Sequence, residues 1–365
     1  MPLNHATPDG AAVDALVVPA ARPARRTREH VRLAERLGCT LVVICSKSIT
    51  ARAVIEQAGD PATPVVAIDF ERDACPPGPD AFGSTELVFD TPFWHATDVS
   101  AKRNAALLLA HWAGWGRIFF LDDDIHIENP DDICAASALL GDYAVTGLTV
   151  HGFPDSSVAG HASRYFGDTP KHFLGSGVLM VAPKRRKTFF PEIYNDDWLY
   201  LIDDTGFPPL ALTGKAIQDP YRPFDDPARA ARQEFGEVIA QGLLAGTRNG
   251  TAPGQADRDF WRAFLANKRR YLDALLYSWN ERIDHDMDGA RIVAALQSAR
   301  DTSAMITPAF CVAYVDAWLR DRQWWRSYLD TRSRSTALTD AITRLGLPAL
   351  LLHPGPASTN RQDQP

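Results

Sequence analysis

Short runs of uninterrupted apolar residues, each followed by a stretch of helical period, constrain this chain more than any other feature. Residues 14–19 carry Ala15, Leu16, Val17 and Val18 and break at Pro19; residues 40–45 and 64–69 repeat the pattern with Leu41 to Ile44 and Val65 to Ile68. Apolar runs this short, bounded by turn-forming residues, predict strands buried on both faces. Between the first two, Val31, Leu33, Ala34 and Leu37 recur at helical spacing after Thr27, an expected N-cap, and Gly38 closes the segment. Residues 50–58 predict a second helix. Strand, helix, strand, helix, strand calls for a parallel sheet with helices on both faces, so the class is α/β.

A fourth apolar run, Ile118, Phe119, Phe120 and Leu121, ends in Asp122, Asp123 and Asp124. In open α/β sheets ligands gather at the carboxyl ends of the strands. Three adjacent carboxylates repel one another unless a cation or a set of donors neutralises them, which a divalent metal with oxygen ligands would do. A polar turn capping the next helix through Asp131 or Asp132 accounts for the same residues. Upstream, residues 97–112 predict a helix with Asp98 or Ser100 near its cap and Lys102 and Arg103 in its first turn. Cations there oppose the helix dipole unless an anion meets them; a phosphate or a solvated face are both open.

Further along, Gly175, Ser176 and Gly177 precede a strand through Val181, and glycines allow either a bulge or a close backbone approach to a ligand. Asp196 and Asp197 follow Phe189, Phe190 and Tyr194 and precede Trp198. Among aromatics, one carboxyl of such a pair can be pushed up towards the range a general base needs; a helix cap at Asn195 or Asp196 is the alternative. From about residue 227 the character turns helical, with Phe260, Phe264, Lys268, Tyr271, Leu275 and Trp279 at three- and four-residue spacings. The aromatic stripe with Trp318 and Trp325 reads as core.

Composition narrows the classes. A chain of 365 residues with 45% hydrophobic and 23% charged residues is long enough for two domains or one large domain with an appendage. A net charge of -7 argues against a general nucleic-acid binder. Five scattered cysteines without a paired spacing predict reduced thiols and a cytoplasmic setting. No apolar run predicts an integral membrane segment. Residues 1–11 and 353–365 are too polar or small to pack and predict disordered tails.

The order of these elements, with the Lys102-Arg103-Asn104 helix start, the Asp122-Asp123-Asp124 strand end, the Gly-Ser-Gly strand and the Asp196-Asp197-Trp198 helix, resembles the GT-A fold of nucleotide-sugar glycosyltransferases. Family 2-like enzymes and glucosyl-3-phosphoglycerate synthases look most similar. The resemblance covers roughly residues 12–225, which it implies form a nucleotide-sugar-binding catalytic domain on a mixed sheet, with a C-terminal helical subdomain over 226–352. It implies a metal-dependent, hexosyltransferase-like transfer from a UDP- or GDP-type donor to a small-molecule or glycan hydroxyl. Asp122 and Asp124 would serve a Mg or Mn ion; Pro19, Lys102, Arg103, Asn104, Asp122 and Asp123 would border the donor; Gly175, Ser176 and Gly177 would face the acceptor. Asp197 or Asp196 would be the base of an inverting reaction. Self-association through the helical subdomain is a further expectation.

One departure stands out. Many relatives complete the metal site with a histidine past the acidic pair, yet here none lies between His172 and His285, and Gln218 and Tyr221 occupy the nearby loop. Either His285 returns as a metal ligand, or water and phosphate fill the coordination sphere. Arg22, Arg25, Arg26 and Arg28 follow the first strand and could clamp a diphosphate or simply face solvent. A sugar-phosphate nucleotidyltransferase would want a glycine-rich basic loop after that strand; an aspartyl-phosphate hydrolase would want its Asp motif on the first strand. A non-catalytic nucleotide-sugar-binding scaffold is the reading from another class.

Overall fold

A computed structural model describes residues 12–78, 81–153, 157–167, 175, 177–282, 287–332 and 337–354. The strands are β1 (Ala15–Ala20), β2 (Thr40–Cys45), β3 (Val65–Asp69), β4 (Ile118–Leu121), β5 (Ile125–His126), β6 (Val145–Gly152), β7 (Val178–Val181), β8 (Leu210–Gln218) and β9 (Ala349–Leu352). They form one sheet in the order β5-β8-β6-β7-β4-β1-β2-β3-β9. Strands β4, β1, β2 and β3 run parallel, while β7 is antiparallel to both β4 and β6 and β9 is antiparallel to β3. The sheet is therefore mixed.

The helices are α1 (Thr27–Leu37), α2 (Ala51–Ala58), α3 (Gly83–Val88), α4 (Val99–Trp112), α5 (Asp131–Leu139), α6 (Val158–Arg164) and α7 (Asp196–Leu201). From α8 (Pro227–Arg248) onward come α9 (Arg258–Asn280), α10 (Met287–Met305), α11 (Pro308–Asp330) and α12 (Leu338–Leu345). Successive side chains of a strand point to opposite faces, so each buried strand feeds two cores. Leu16, Val43, Phe119 and Met180 pack with Val31 of α1, Val54 of α2 and Ile133 of α5. Val17, Val42, Val66 and Phe120 pack on the other face with α4 and with Phe235, Trp261, Trp318 and Trp325. The tryptophan stripe is core.

Several details differ from the sequence-based expectations. Strand β1 does not break at Pro19 but runs to Ala20, pairing with β2 through Cys45. Its pairing with β4 ends at Val17, so beyond that point one flank asks for no ladder N–H, and proline is tolerated. Arg26 rather than Thr27 is the N-cap residue of α1, after a turn of 3-10 helix at Ala24–Arg26. Pro130 precedes α5, and Asp132 accepts the N–H of Lys215 at 2.9 Å instead of capping. The segment after 226 is not wholly helical, because β9 returns to pair with β3.

Helix α4 is buried on nearly every side, from Lys102 through Trp112. Leu108 and Leu109 are fully buried, each contributing roughly 2 kcal/mol by leaving water. A helix buried all round must find partners for its polar residues. Those partners define the site. No single helix among the described residues is long and apolar enough to cross a membrane, and the cysteines described are free thiols.

Candidate active site

Lys102 and Arg103 are neighbours in sequence but point about 100° apart around α4, which sends their charges to different places. Lys102 Nζ donates to the Ala20 carbonyl at 2.7 Å and to Ser46 Oγ at 2.6 Å, tying the ends of β1 and β2 together. Burial pulls its pKa down while Asp98, 3.4 Å away, works the other way. Asn104 closes two 2.8 Å bonds with the backbone of Phe190. Both side chains are turned into the protein.

Arg103 joins the two acidic foci. Its Nη2 donates to Asp122 Oδ1 at 2.9 Å, and its Nη1 donates to Asp196 Oδ2 at 3.2 Å. Ser100 Oγ donates to the same Asp196 oxygen at 2.7 Å. Burial alone would lower the Arg103 pKa, but the charges of Asp122 and Asp196 overcome it and raise it. The anions that meet the helix start are thus carboxylates of the chain itself.

The acidic triplet divides its work. Asp122 takes Arg103. Asp123 Oδ2 accepts the backbone N–H groups of Ala21 and Arg22 at 2.8 and 2.9 Å, and its Oδ1 pairs with the Arg22 guanidinium. Asp124 is buried, accepting from Arg22 Nη2 at 3.1 Å and Gln218 Nε2 at 3.4 Å. Burial, with Asp122 adding to it, pushes the Asp124 carboxyl up to about 6 against the pull of Arg22 and Gln218.

The glycine turn brings the two foci close. A Cβ on Gly177 would stand 2.9 Å from an Asp122 oxygen and 2.8 Å from Ile125, so any side chain there would displace those two. A Cβ on Gly175 would lie 3.7 Å from Asp197 Oδ2. Asn195, with φ 59°, adopts a left-handed conformation before α7 and uses its amide on Glu237 at 3.0 Å, not as a side-chain cap. Gly236 makes this contact feasible, since any Cβ there would overlap the Tyr194 carbonyl. Asp197 then projects from the first turn of α7, its Oδ1 accepting the Trp198 N–H at 2.9 Å.

Arg103, Asp122, Gly175, Gly177, Asp196 and Asp197 line one wall of a cavity of about 830 Å³. That volume suits a small-molecule ligand. The facing wall comes from α8 and α9 through Glu237, Gln241, Lys268 and Tyr271. Lys268 Nζ pairs with Glu237 at 3.4 Å and Glu234 at 3.9 Å. This wall escaped the sequence reading, although Glu237 and Gln241 are polar residues one turn apart on a largely buried helix.

Burial pushes the Glu234 carboxyl from its ordinary 4.5 up to about 7, with Lys268 pulling down and Glu237 pushing up. A carboxyl raised by folding gives stability that is complete below its unfolded value and lost as pH rises through the folded one. The window here is pH 4.5 to 7. Glu234→Gln is therefore expected to flatten this loss, seen in urea unfolding as a shallower fall in stability between pH 4.5 and 7 than in the wild type. Parallel pH profiles for the two proteins would contradict it.

No protein-family model matches the chain, and no curated protein matches it. Of solved structures, the mannosyltransferase PcManGT from Pyrobaculum calidifontis, in complex with GDP-Man and Mn2+, is similar over 85% of this chain and 86% of its own. The identity is 15% and the TM-score 0.40. The functional reading rests on the geometry of this chain.

Of the sequence-predicted residues, Arg103, Asp122, Asp196, Asp197, Gly175 and Gly177 meet at the cavity. Pro19 lies buried within β1, and Ser176 and His285 fall outside the described residues. Arg25 is exposed, and Arg28 bonds the Gln57 carbonyl at 3.3 Å, whereas Arg22 and Arg26 turn to Asp123 and Asp219. Among the described residues no group of three His, Cys, Asp or Glu side chains is placed to hold a metal ion. A magnesium-like ion takes one or two carboxylates and completes its shell with water and phosphate. By residue type Asp122 and Asp124 supply such a pair of carboxylates: Asp122 lines the cavity, and Asp124 lies buried against Arg22 and Gln218.

Proposed function

We propose that the chain is a metal-dependent glycosyltransferase of GT-A type, moving a sugar from a UDP- or GDP-linked donor to a hydroxyl acceptor. The observation that carries this reading is the Arg103 bridge. One buried guanidinium fixes Asp122 at the end of β4 and Asp196 at the start of α7 on the same cavity wall. A strand-end carboxylate and an acidic helix start, held side by side on one cavity wall, are the parts such a transfer needs.

In this reading Asp124, with Asp122, holds a Mg or Mn ion, which when bound offsets the charge of the departing diphosphate. Lys102, Asn104 and Pro19 support the donor site only indirectly in this reading, because their polar atoms or ring are committed within the protein. Asp123 fixes the loop after β1 that borders the donor. Gly175 leaves room beside Asp197, and Gly177 beside Asp122, for the acceptor. For an inverting transfer, Asp197 accepts the proton of the acceptor hydroxyl while that hydroxyl's oxygen bonds to the anomeric carbon and the bond from that carbon to the diphosphate oxygen breaks. Asp196, committed to Ser100 and Arg103, orients that turn.

The test is release of UDP or GDP by the purified protein from a panel of nucleotide sugars with Mn or Mg. We expect turnover of at least one donor and a loss of about hundredfold or more in Asp124→Ala. Failure of every donor, together with absence of metal-dependent nucleotide binding, would falsify the reading. Pyrophosphate release from nucleoside triphosphates and a sugar phosphate would point to nucleotidyl transfer instead.

A further inference from the structure

The loop after β1 holds a cation where the proposed donor site needs to receive one. Asp123 fixes the backbone of that loop through the N–H groups of Ala21 and Arg22, independently of where the Arg22 side chain goes. From this anchored backbone the Arg22 guanidinium reaches Asp124 Oδ2 at 3.1 Å. The Arg22 side chain is 56% exposed and that of Asp124 10%. A solvent-facing cation thus sits on a largely buried carboxylate, whose other bonded neighbour, Gln218, is uncharged.

We propose that Arg22 is an exchangeable counter-ion: it neutralises Asp124 in the donor-free protein, then leaves it for the diphosphate when metal and nucleotide enter together. The inference rests on Asp124 being a metal carboxylate. A divalent ion and a guanidinium repel each other and compete for the same Asp124 oxygen. Release of Arg22 breaks its pairs with both Asp123 and Asp124; the incoming divalent ion compensates at Asp124, and the Ala21 and Arg22 N–H groups remain on Asp123. The destination of Arg22 is favourable, since a guanidinium matches a phosphate with two parallel hydrogen bonds. With the backbone pinned by Asp123, the side chain can turn without the loop moving. The result is that metal alone meets a competitor, whereas metal with diphosphate gains a ligand, so the two binding events support each other.

Calorimetry on the full chain tests this with three variants whose folding is checked by circular dichroism. Arg22→Met is expected to bind Mn2+ alone about threefold more tightly, and to bind UDP or GDP at saturating Mn2+ about tenfold more weakly. Arg22→Lys keeps the competition for Mn2+ but recovers only part of the nucleotide affinity, lacking the paired donors. Asp124→Asn separates the two ideas. If it loses Mn2+ while Arg22→Met alters neither affinity, or shifts both in one direction, the exchange is overturned and the metal site stands. If Asp124→Asn binds Mn2+ as the wild type does, both fall.

Discussion

Replacing Arg103 by methionine is expected to remove about 3–5 kcal/mol of folding stability at neutral pH. The reason is what stays behind. Asp122 and Asp196 both direct oxygens at this one guanidinium, which is only 3% exposed, and its Nε is a buried atom with no hydrogen-bond partner among the described residues. Methionine fills much of the volume and preserves packing against Phe190, whose ring centre is 5.7 Å from the guanidinium carbon. The loss is therefore electrostatic. Urea unfolding of Arg103→Met, Asp196→Asn and the double variant forms a cycle. The double variant should be more stable than Arg103→Met alone, because removing the stranded charge relieves part of the penalty. A loss below about 1 kcal/mol, or strictly additive effects, would show that water reaches these carboxylates and that the bridge does not hold the two acidic segments together.

The sequence made the interior strands legible and the edges obscure, for a physical reason. Strands β2 and β4 are buried on both faces, so their residues form continuous apolar runs. Strand β8 mixes Thr213, Gly214 and Lys215 with apolar residues because much of it faces solvent. Strand β9 lies at the sheet's edge after a long helical stretch, where nothing local announces a return to β3. At the site, residue types were readable but pairings were not. The three aspartates are chemically alike, yet one meets Arg103, one meets backbone amides, and one is left with Arg22 and Gln218. Such assignments depend on elements distant in sequence.

The same limit explains the helix start at Lys102. Basic residues in a first turn left a phosphate and a solvated face both open, and dipole reasoning has no means of telling an external phosphate from Asp98, Asp122 and Asp196. It also explains the facing wall. Glu237 gains its place from the left-handed Asn195 and the close approach at Gly236, and neither is visible until α8 is laid against residue 194.

Asp197→Asn is expected to leave Mn2+-dependent binding of UDP or GDP within about twofold of the wild type, while lowering sugar transfer by about 10²–10⁴-fold, the usual contribution of a positioned general base. The two neighbouring aspartates make an internal control. Asp196 is 6% exposed and receives hydrogen bonds from Ser100 and Arg103, so accepting a further proton there would disturb the bridge to Asp122. Its substitution should appear first as lost stability. Asp197 stands beside Gly175 on the cavity wall, only half-buried, with an oxygen on that side. Its substitution should spare the fold and act on the chemical step, visible as a fall in kcat with little change in the donor KM. Asparagine keeps the shape and the acceptor oxygen but cannot take a proton. Full transfer by Asp197→Asn, with loss in a folded Asp196→Asn, would move the base to Asp196 and require Arg103 to release it during turnover. Loss of nucleotide binding in Asp197→Asn would instead place this carboxylate on the donor side of the cavity.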